Sequence, residues 1–258
     1  MAGLVPAKPA AEYVPRRDGE AGVAKLKVMC GRSMHRAVGA LARGFEQASG
    51  HAVALDFGTM GALQKKLDAG ERADVLSLSV PLIEQLEQAG ALVPGSRTDV
   101  ARTFVGVAVR AGAPRPDIAT AEAFAKTVME ARAVAFSDPA VGGSAGVYLV
   151  GLFERLGLTG AIRDKGLPQQ SGVEVARRVA EGKADIGLTL TGEIASVEGV
   201  IVAGPLPPPH GHETTYCAAV SAASETKDAA ASFIAALTAP ATRATWQAAG
   251  FDLPQAPS

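Results

Sequence analysis

The first residues that could do chemistry lie in a short turn between an apolar run and a helical pattern. Residues 55–57 end a strand-like run, residues 58–61 (GTMG) form a tight turn, and residues 62–69 have a helical pattern. Free N–H groups at the start of a helix attract anions, and the Thr59 hydroxyl adds a donor where a cap residue belongs. The same turn also fits plain helix capping, so only a second turn of this kind would favour an anion site.

A second loop repeats this geometry in the other half of the chain. Residues 133–137 are strand-like, residues 138–146 (DPAVGGSAG) are small, and a helix is predicted to run to about Leu156. Small residues let a ligand approach the backbone closely. If both turns face one cleft, amide dipoles from two halves of the molecule form a receptor for negative charge.

Two side chains are predicted as proton carriers. His35 lies in the first turn of a helix, where it fits a proton carrier or a capping or surface histidine equally well. Glu193 follows a buried strand and fits a base or a group that steers the ligand. Nucleophile elbows, Walker loops, zinc-protease helices and paired-cysteine motifs do not occur, so no metal or other cofactor is predicted.

Composition is that of an ordinary globular protein. The chain has 258 residues, 48% of them hydrophobic, and a net charge of −1, which predicts neither nucleic-acid binding nor membrane insertion. Cys30 and Cys217 fit two free buried thiols or one bridge, and spacing does not decide between them. Buried thiols are the simpler interpretation.

The N-terminal segment has no pattern of a secretory signal. Residues 1–24 contain three prolines and a charged run at residues 16–18, and they are predicted to be a flexible arm. The sequence as given therefore predicts a cytoplasmic protein, and a periplasmic one if the precursor carries an export signal.

The remaining patterns predict an α/β protein with two lobes. Strands and helices alternate in two clusters, which is typical of mainly parallel sheets flanked by helices. We expect the first lobe to comprise residues 25–104 and 211–258, and the second lobe residues 105–210. Ligands of such sheets bind at the carboxyl ends of the strands, which here would face the cleft between the lobes.

The sequence segments, in the order in which they follow one another along the chain, resemble the type II periplasmic binding proteins of the molybdate-binding kind. The resemblance runs from about residue 25 to 253 and is carried by residues 26–79, by residues 134–158 (VAFSDPAVGGSAGVYLVGLFERLGL) and by a helical ending at residues 230–252. It implies a two-lobed clamshell fold. It also implies an anion held by hydroxyls and amides at the first two strand-to-helix turns and by the loop after the Asp-Pro of the second lobe.

Carried onto this sequence, the resemblance implies a set of ligand-binding residues, namely Arg32, Ser33, Thr59, Met60, Gly143, Ser144 and Ala145. The first turn differs from the usual small residues of molybdate binders because Arg32 stands beside Ser33. A guanidinium matches a planar carboxylate through two parallel hydrogen bonds, so a small organic acid is predicted rather than molybdate. The alternative for Arg32 is a solvated surface arginine.

A subgroup that includes aconitate isomerase resembles the chain further, through residues 93–102 (VPGSRTDVAR) and 107–114 (VAVRAGAP). Two functions are therefore expected. The first is a solute-binding protein for a small anion, with an ABC permease as partner if the protein is exported. The alternative is an isomerase that shifts an allylic proton in an unsaturated carboxylate.

Overall fold

The computed structural model describes residues 23–141 and 143–254, and one continuous sheet passes through this part of the chain. In the described residues it has nine strands, in the order β2-β1-β3-β9-β4-β7-β5-β6, with β8 paired to β4. The strands are β1 Lys25–Gly31, β2 Ala52–Gly58, β3 Val75–Ser79, β4 Thr98–Arg110, β5 Val134–Ser137, β6 Gly166–Gln169, β7 Ile186–Leu190, β8 Val200–Pro205 and β9 Glu213–Val220.

Helices connect the strands and flank the sheet, which confirms the predicted α/β class. They are α1 His35–Ser49, α2 Met60–Asp68, α3 Val80–Gln88, α4 Ala121–Glu130, α5 Ser144–Arg155, α6 Thr159–Lys165, α7 Gly172–Ala180, α8 Thr191–Ile194, α9 Lys227–Thr238 and α10 Arg243–Ala248. Short 3-10 turns at residues 32–34, 139–141 and 240–242 precede α1, α5 and α10. None of the helices in the described residues is long and apolar enough to span a bilayer.

The long strand β4 passes from one half of the sheet to the other. Its first half pairs antiparallel with β9 as far as Phe104, and from Val105 it pairs with β7. On either side, β1 pairs in parallel with β2 and β3, and β5 pairs in parallel with β6 and β7. Each half is therefore a mainly parallel unit whose strands end at turns into helices.

Packing of the apolar side chains follows the same division. Two buried clusters draw on residues 24–101 and 216–251, and two others draw on residues 105–206. This separation supports lobes at residues 25–104 with 211–258 and at 105–210, and these boundaries remain a prediction. Residues 1–22 of the predicted arm lie outside the described residues.

Local sequence explains why α1 lies where it does. Ala37, Val38, Ala42 and Phe45 are buried on one face of the helix, and the spacing of three to four residues suits a core-facing stripe. The helix ends at Gly50, whose φ of 74° is the left-handed conformation of a C-cap. This packing fixes the turn at residues 32–34, which leads from β1 into α1.

Candidate functional site

One cavity lies where the turns of the two halves meet. Its volume is about 40 Å³, which is room for about three water molecules. The residues around it come from the ends of β2, β5 and β7, from the turn after β1, from the middle of β9, from the starts of α2, α5 and α7 with the residues just before them, and from α8. They are Arg32, Ser33, Gly58, Thr59, Met60, Ser137, Val141, Gly143, Ser144, Ala145, Gln170, Ser171, Gly172, Leu190, Glu193 and Tyr216.

Arg32 supplies positive charge to the cavity wall. It begins the 3-10 turn that follows β1. Among the described residues no hydrogen bond or ion pair involves its guanidinium, and Glu193 is the charged group with which it interacts electrostatically. A guanidinium has five N–H donors in a planar fork. Arg32 is therefore available to a ligand that carries negative charge.

Ser33 is buried beside Arg32 and already has a partner. Its hydroxyl donates to the Tyr216 hydroxyl at 2.9 Å, and Ser33 and Tyr216 are each 3% exposed. Burial raises the pKa of Tyr216 well above its usual value, so the phenol stays neutral. A ligand oxygen that approaches Ser33 must therefore compete with Tyr216 for the hydroxyl proton.

The turn after β2 brings Thr59 and Met60 to the cavity. Thr59 is the N-cap of α2, and its side chain accepts a hydrogen bond from the Ala62 amide at 3.3 Å. The Met60 sulfur accepts a hydrogen bond from the Ser79 amide at 3.3 Å. Thr59 therefore both caps α2 and lines the cavity, so helix capping and a role in anion binding are compatible at this turn.

The start of α5 faces the cavity from the other half of the chain. Gly143 is the N-cap and offers no side chain to the first-turn amides, which leaves them open to a ligand. Ser144 is partly buried, and its hydroxyl lies 3.2 Å from that of Thr214. Ala145 is buried behind it. Helix N-termini of both halves thus border one space, as the two turns predicted.

Glu193 lies in the wall as a buried acid. Only 8% of the residue is exposed, and its Oε2 accepts a hydrogen bond from the Thr189 hydroxyl at 2.7 Å. Burial raises the pKa of Glu193 above its usual value. Hydrogen bonds from Thr189 and the Gly172 amide, together with the charge of Arg32, lower the pKa, but their effect is smaller. Thr189 in turn lies 2.8 Å from the Ser137 hydroxyl.

Of the residues predicted from the sequence, His35 is the one that the structure does not place at the cavity wall. Its Nδ1 lies 3.2 Å from the Arg32 carbonyl oxygen, and its ring meets Phe57 edge-on with 6.1 Å between ring centroids. These contacts resemble those of a residue that holds the start of α1 in place. A role for His35 as proton carrier remains a prediction, with no cavity contact to support it.

Sequence reasoning missed the contribution of α7. Gln170, Ser171 and Gly172 reach the cavity at the start of this helix. Ser171 is its N-cap and accepts from the Glu174 amide at 3.3 Å. The spacing Ser171-x-x-Glu174 is a capping-box pattern, so the sequence did contain a signal for this third helix start. Ser137, at the end of β5, was not identified by any sequence pattern.

Comparison with known proteins shows to which family the chain belongs. The chain is 32% identical to the aconitate isomerase of a Pseudomonas species over 218 residues, which are 81% of this chain and 80% of that protein. Its fold matches the periplasmic molybdate-binding protein of Azotobacter vinelandii, with a TM-score of 0.71, 24% identity and coverage of 89% of this chain and 100% of the other.

The fold also matches the sulfate-binding protein SubI of Mycobacterium tuberculosis, with a TM-score of 0.64, 20% identity and coverage of 88% and 86%. These neighbours are two-lobed periplasmic binding proteins, which confirms the predicted clamshell fold. Residues 26–252 match the family model of the bacterial extracellular solute-binding proteins, and the chain therefore belongs to that family.

Proposed function

We propose that the protein binds a small organic carboxylate in the cavity between its two halves. The observation that carries this proposal is Arg32, an exposed residue of the cavity wall whose guanidinium has no hydrogen-bond or ion-pair partner among the described residues. The starts of α2, α5 and α7 border the same space. A positive side chain beside converging amide dipoles favours a ligand of negative charge.

An organic carboxylate is preferred to an inorganic oxyanion because the chain is 32% identical to an aconitate isomerase, a protein named for a carboxylate. The two parallel N–H donors of a guanidinium match the two oxygens of such a group. A tricarboxylate needs more room than the three or so water molecules that fit this cavity, and a separation of the lobes, as in hinged binding proteins, would admit it.

A specific observation favours the isomerase as a second candidate. Glu193 is a buried acid at the cavity wall, and burial raises its pKa above the usual value, as suits a residue that gives and takes protons. In an allylic shift, the Glu193 carboxylate would take a proton from one carbon of an unsaturated acid while the double bond moves. The resulting carboxyl would return a proton to the other end of the allyl unit, so the enzyme ends unchanged.

The two candidates imply different partners. A receptor would pass its anion to an ABC permease, as proteins of the molybdate-binding kind do, whereas an isomerase needs only its substrate. The family is one of extracellular proteins, and the cytoplasmic location expected from the sequence as given remains a prediction.

Binding and turnover can be measured on the same samples. Titration calorimetry with trans-aconitate, citrate, sulfate and molybdate tests the ligand class, and loss of ultraviolet absorbance together with deuterium uptake from heavy water tests the isomerase. We expect saturable binding of the organic acids over the inorganic ions. Binding of molybdate or sulfate alone would contradict the carboxylate assignment, and binding without any change in ultraviolet absorbance would reject the isomerase.

Arg32→Ala should weaken carboxylate binding by roughly 1.5–3 kcal/mol, about tenfold to a hundredfold in affinity, because a charge-assisted hydrogen bond is lost. Arg32→Lys should recover part of the affinity, because lysine keeps the positive charge but lacks the planar pair of N–H donors. The matched control is Arg43→Ala, since Arg43 is an exposed arginine of α1 that does not line the cavity. Unchanged affinity in Arg32→Ala would contradict the assignment.

A further inference from the structure

A buried acid in the wall of an anion cavity is electrostatically unusual. Glu193 is 8% exposed and lies with Arg32 among the lining residues. When Glu193 is ionised, the pair is neutral and Arg32 has no net attraction left for an anion at long range. A bound carboxylate would then face a second negative charge in a space shielded from water, which is costly.

Hydrogen bonds hold the carboxyl group of Glu193 in one orientation. Thr189, 0% exposed, donates to Oε2, and the Gly172 amide also bonds the carboxyl group. Gly172 is needed for this approach, because a Cβ atom there would overlap Glu193 Oε2 and Thr189 Oγ1. Held in this way, Glu193 cannot easily turn away when an anion arrives.

Few other ionisable groups act on Glu193. The turn before α1 contributes Arg32 and β9 contributes Tyr216, which burial keeps neutral. Strands β7 and β8 contain no ionisable residue. In the described residues, none of the acidic or basic side chains of α7 and β4 is among the causes that shift the pKa of Glu193. Arg36 donates to the Ala195 carbonyl at the end of α8, 2.6 Å away.

We propose that this site takes up a proton together with its anion, and that Glu193 is the group that holds the proton. The proposal rests on the proposed function, because it assigns a second ligand to the same cavity. The neutral carboxyl relieves the repulsion and leaves the charge of Arg32 for the anion. Ligands that arrive fully ionised are then favoured, since the bound proton comes from the solvent and not from the ligand.

The direction of the pH dependence follows from linkage. A bound anion favours the neutral form, so the pKa of Glu193 is higher in the complex than in the free protein. Affinity is therefore highest below the pKa of the free protein and is lost as pH rises between the two values, by up to about tenfold per pH unit. Between the two values, binding one anion takes up as much as one proton from the buffer.

Calorimetry in buffers with different heats of ionisation measures this proton directly. The probe is propane-1,2,3-tricarboxylate, which resembles aconitate but has no double bond to shift, so no turnover disturbs the heats. Titrations at several pH values above the ligand's own last ionisation, each in HEPES and in Tris, give the number of protons bound per anion. We expect a positive number, up to one, within a window where affinity falls with pH.

Variants show which residue holds the proton. Glu193→Gln keeps the shape of the side chain and an acceptor for Thr189 but cannot ionise, so proton uptake and the pH dependence should both disappear. The control Glu198→Gln removes an exposed acid shortly after α8 that does not line the cavity, and uptake should stay as in the unmodified protein.

Anion binding without proton uptake at any pH in the series would overturn this inference and leave the proposed function standing. Uptake that persists in Glu193→Gln would overturn the assignment of the proton to Glu193. If no anion binds at all, the proposed function fails and this inference fails with it. The measurement on the unmodified protein does not depend on the folding of any variant.

Discussion

Replacing Gly172 with alanine should disturb the cavity wall from within. Gly172 is the first residue of α7, and the Cβ of an alanine would overlap Glu193 Oε2 and Thr189 Oγ1. Either the start of α7 must move or Glu193 must leave its hydrogen bond with Thr189. Both responses change the site without removing any of its charged groups.

The magnitude follows from three effects. If α7 moves, forcing an extra methyl group into a packed site costs about 1–3 kcal/mol. If Glu193 moves instead, a buried carboxyl that loses its partner costs about 1–3 kcal/mol. Replacing glycine by alanine in a helix returns about 0.5–1 kcal/mol. We therefore expect Gly172→Ala to lower the free energy of unfolding by up to about 2.5 kcal/mol and to weaken carboxylate binding.

Urea unfolding followed by the fluorescence of Trp246 measures this change. Trp246 is the one tryptophan in the sequence and is fully buried. The matched control is Gly44→Ala in α1, where an added Cβ would have no atom within 4 Å, so stability should rise by about 0.5–1 kcal/mol. Equal stability of the two variants, with unchanged anion affinity in Gly172→Ala, would refute the packing of Glu193 against Gly172.

Three further predictions concern other parts of the molecule. Thr59→Ala removes the N-cap of α2 and should cost about 1 kcal/mol in urea unfolding; no loss would contradict the capping role. Cys30 and Cys217 are free, and burial raises the pKa of each thiol to about 12, so iodoacetamide at pH 8 should modify both only after unfolding, and fast labelling of the folded protein would contradict their burial. The side chain of Arg132 donates hydrogen bonds to the Asp185 carboxyl group, which lowers its pKa. Asp185→Asn should lower the free energy of unfolding by up to about 1 kcal/mol at pH 7, a small value because the pair is largely exposed. The difference from the unmodified protein should vanish as pH falls through that lowered pKa.

The turns that carry the site could be predicted because their local chemistry is strong. The strand ending near Phe57 and the helix after Thr59 appear as β2 and α2, although α2 begins at Met60 rather than at Ala62. The helix after the Asp-Pro loop appears as α5, starting at Ser144. In these segments apolar runs, small turn residues and helical spacing all favour the same structure, so tertiary contacts had little to change.

The start of α7 was harder to predict because β6, the strand before it, has a weak sequence pattern. β6 is the four-residue run Gly166–Gln169, which contains a proline and, among the described strands, pairs only with β5 at the edge of the sheet. Such a segment lacks the apolar run that indicates a strand. Without it, the turn into α7 had no predicted strand before it, and Gly172 was not recognised as part of the cavity.

The burial of Glu193 also depends on contacts that no sequence pattern contains. The sequence placed this residue after a buried strand, where a surface helix would be ordinary. In the structure the short helix α8 packs against β4, α7 and the turn that carries Arg32. These partners are far apart in the sequence, so whether Glu193 faces solvent or the cavity is decided by the tertiary fold.

The most direct test of the account is a crystal structure of the protein with trans-aconitate or citrate bound. We predict that a carboxylate of the ligand lies about 2.7–3.2 Å from the Arg32 guanidinium, bordered by the starts of α2, α5 and α7. A ligand bound elsewhere, or bound in this cavity while Arg32 points into solvent, would contradict the claim that the two halves form one receptor for a carboxylate.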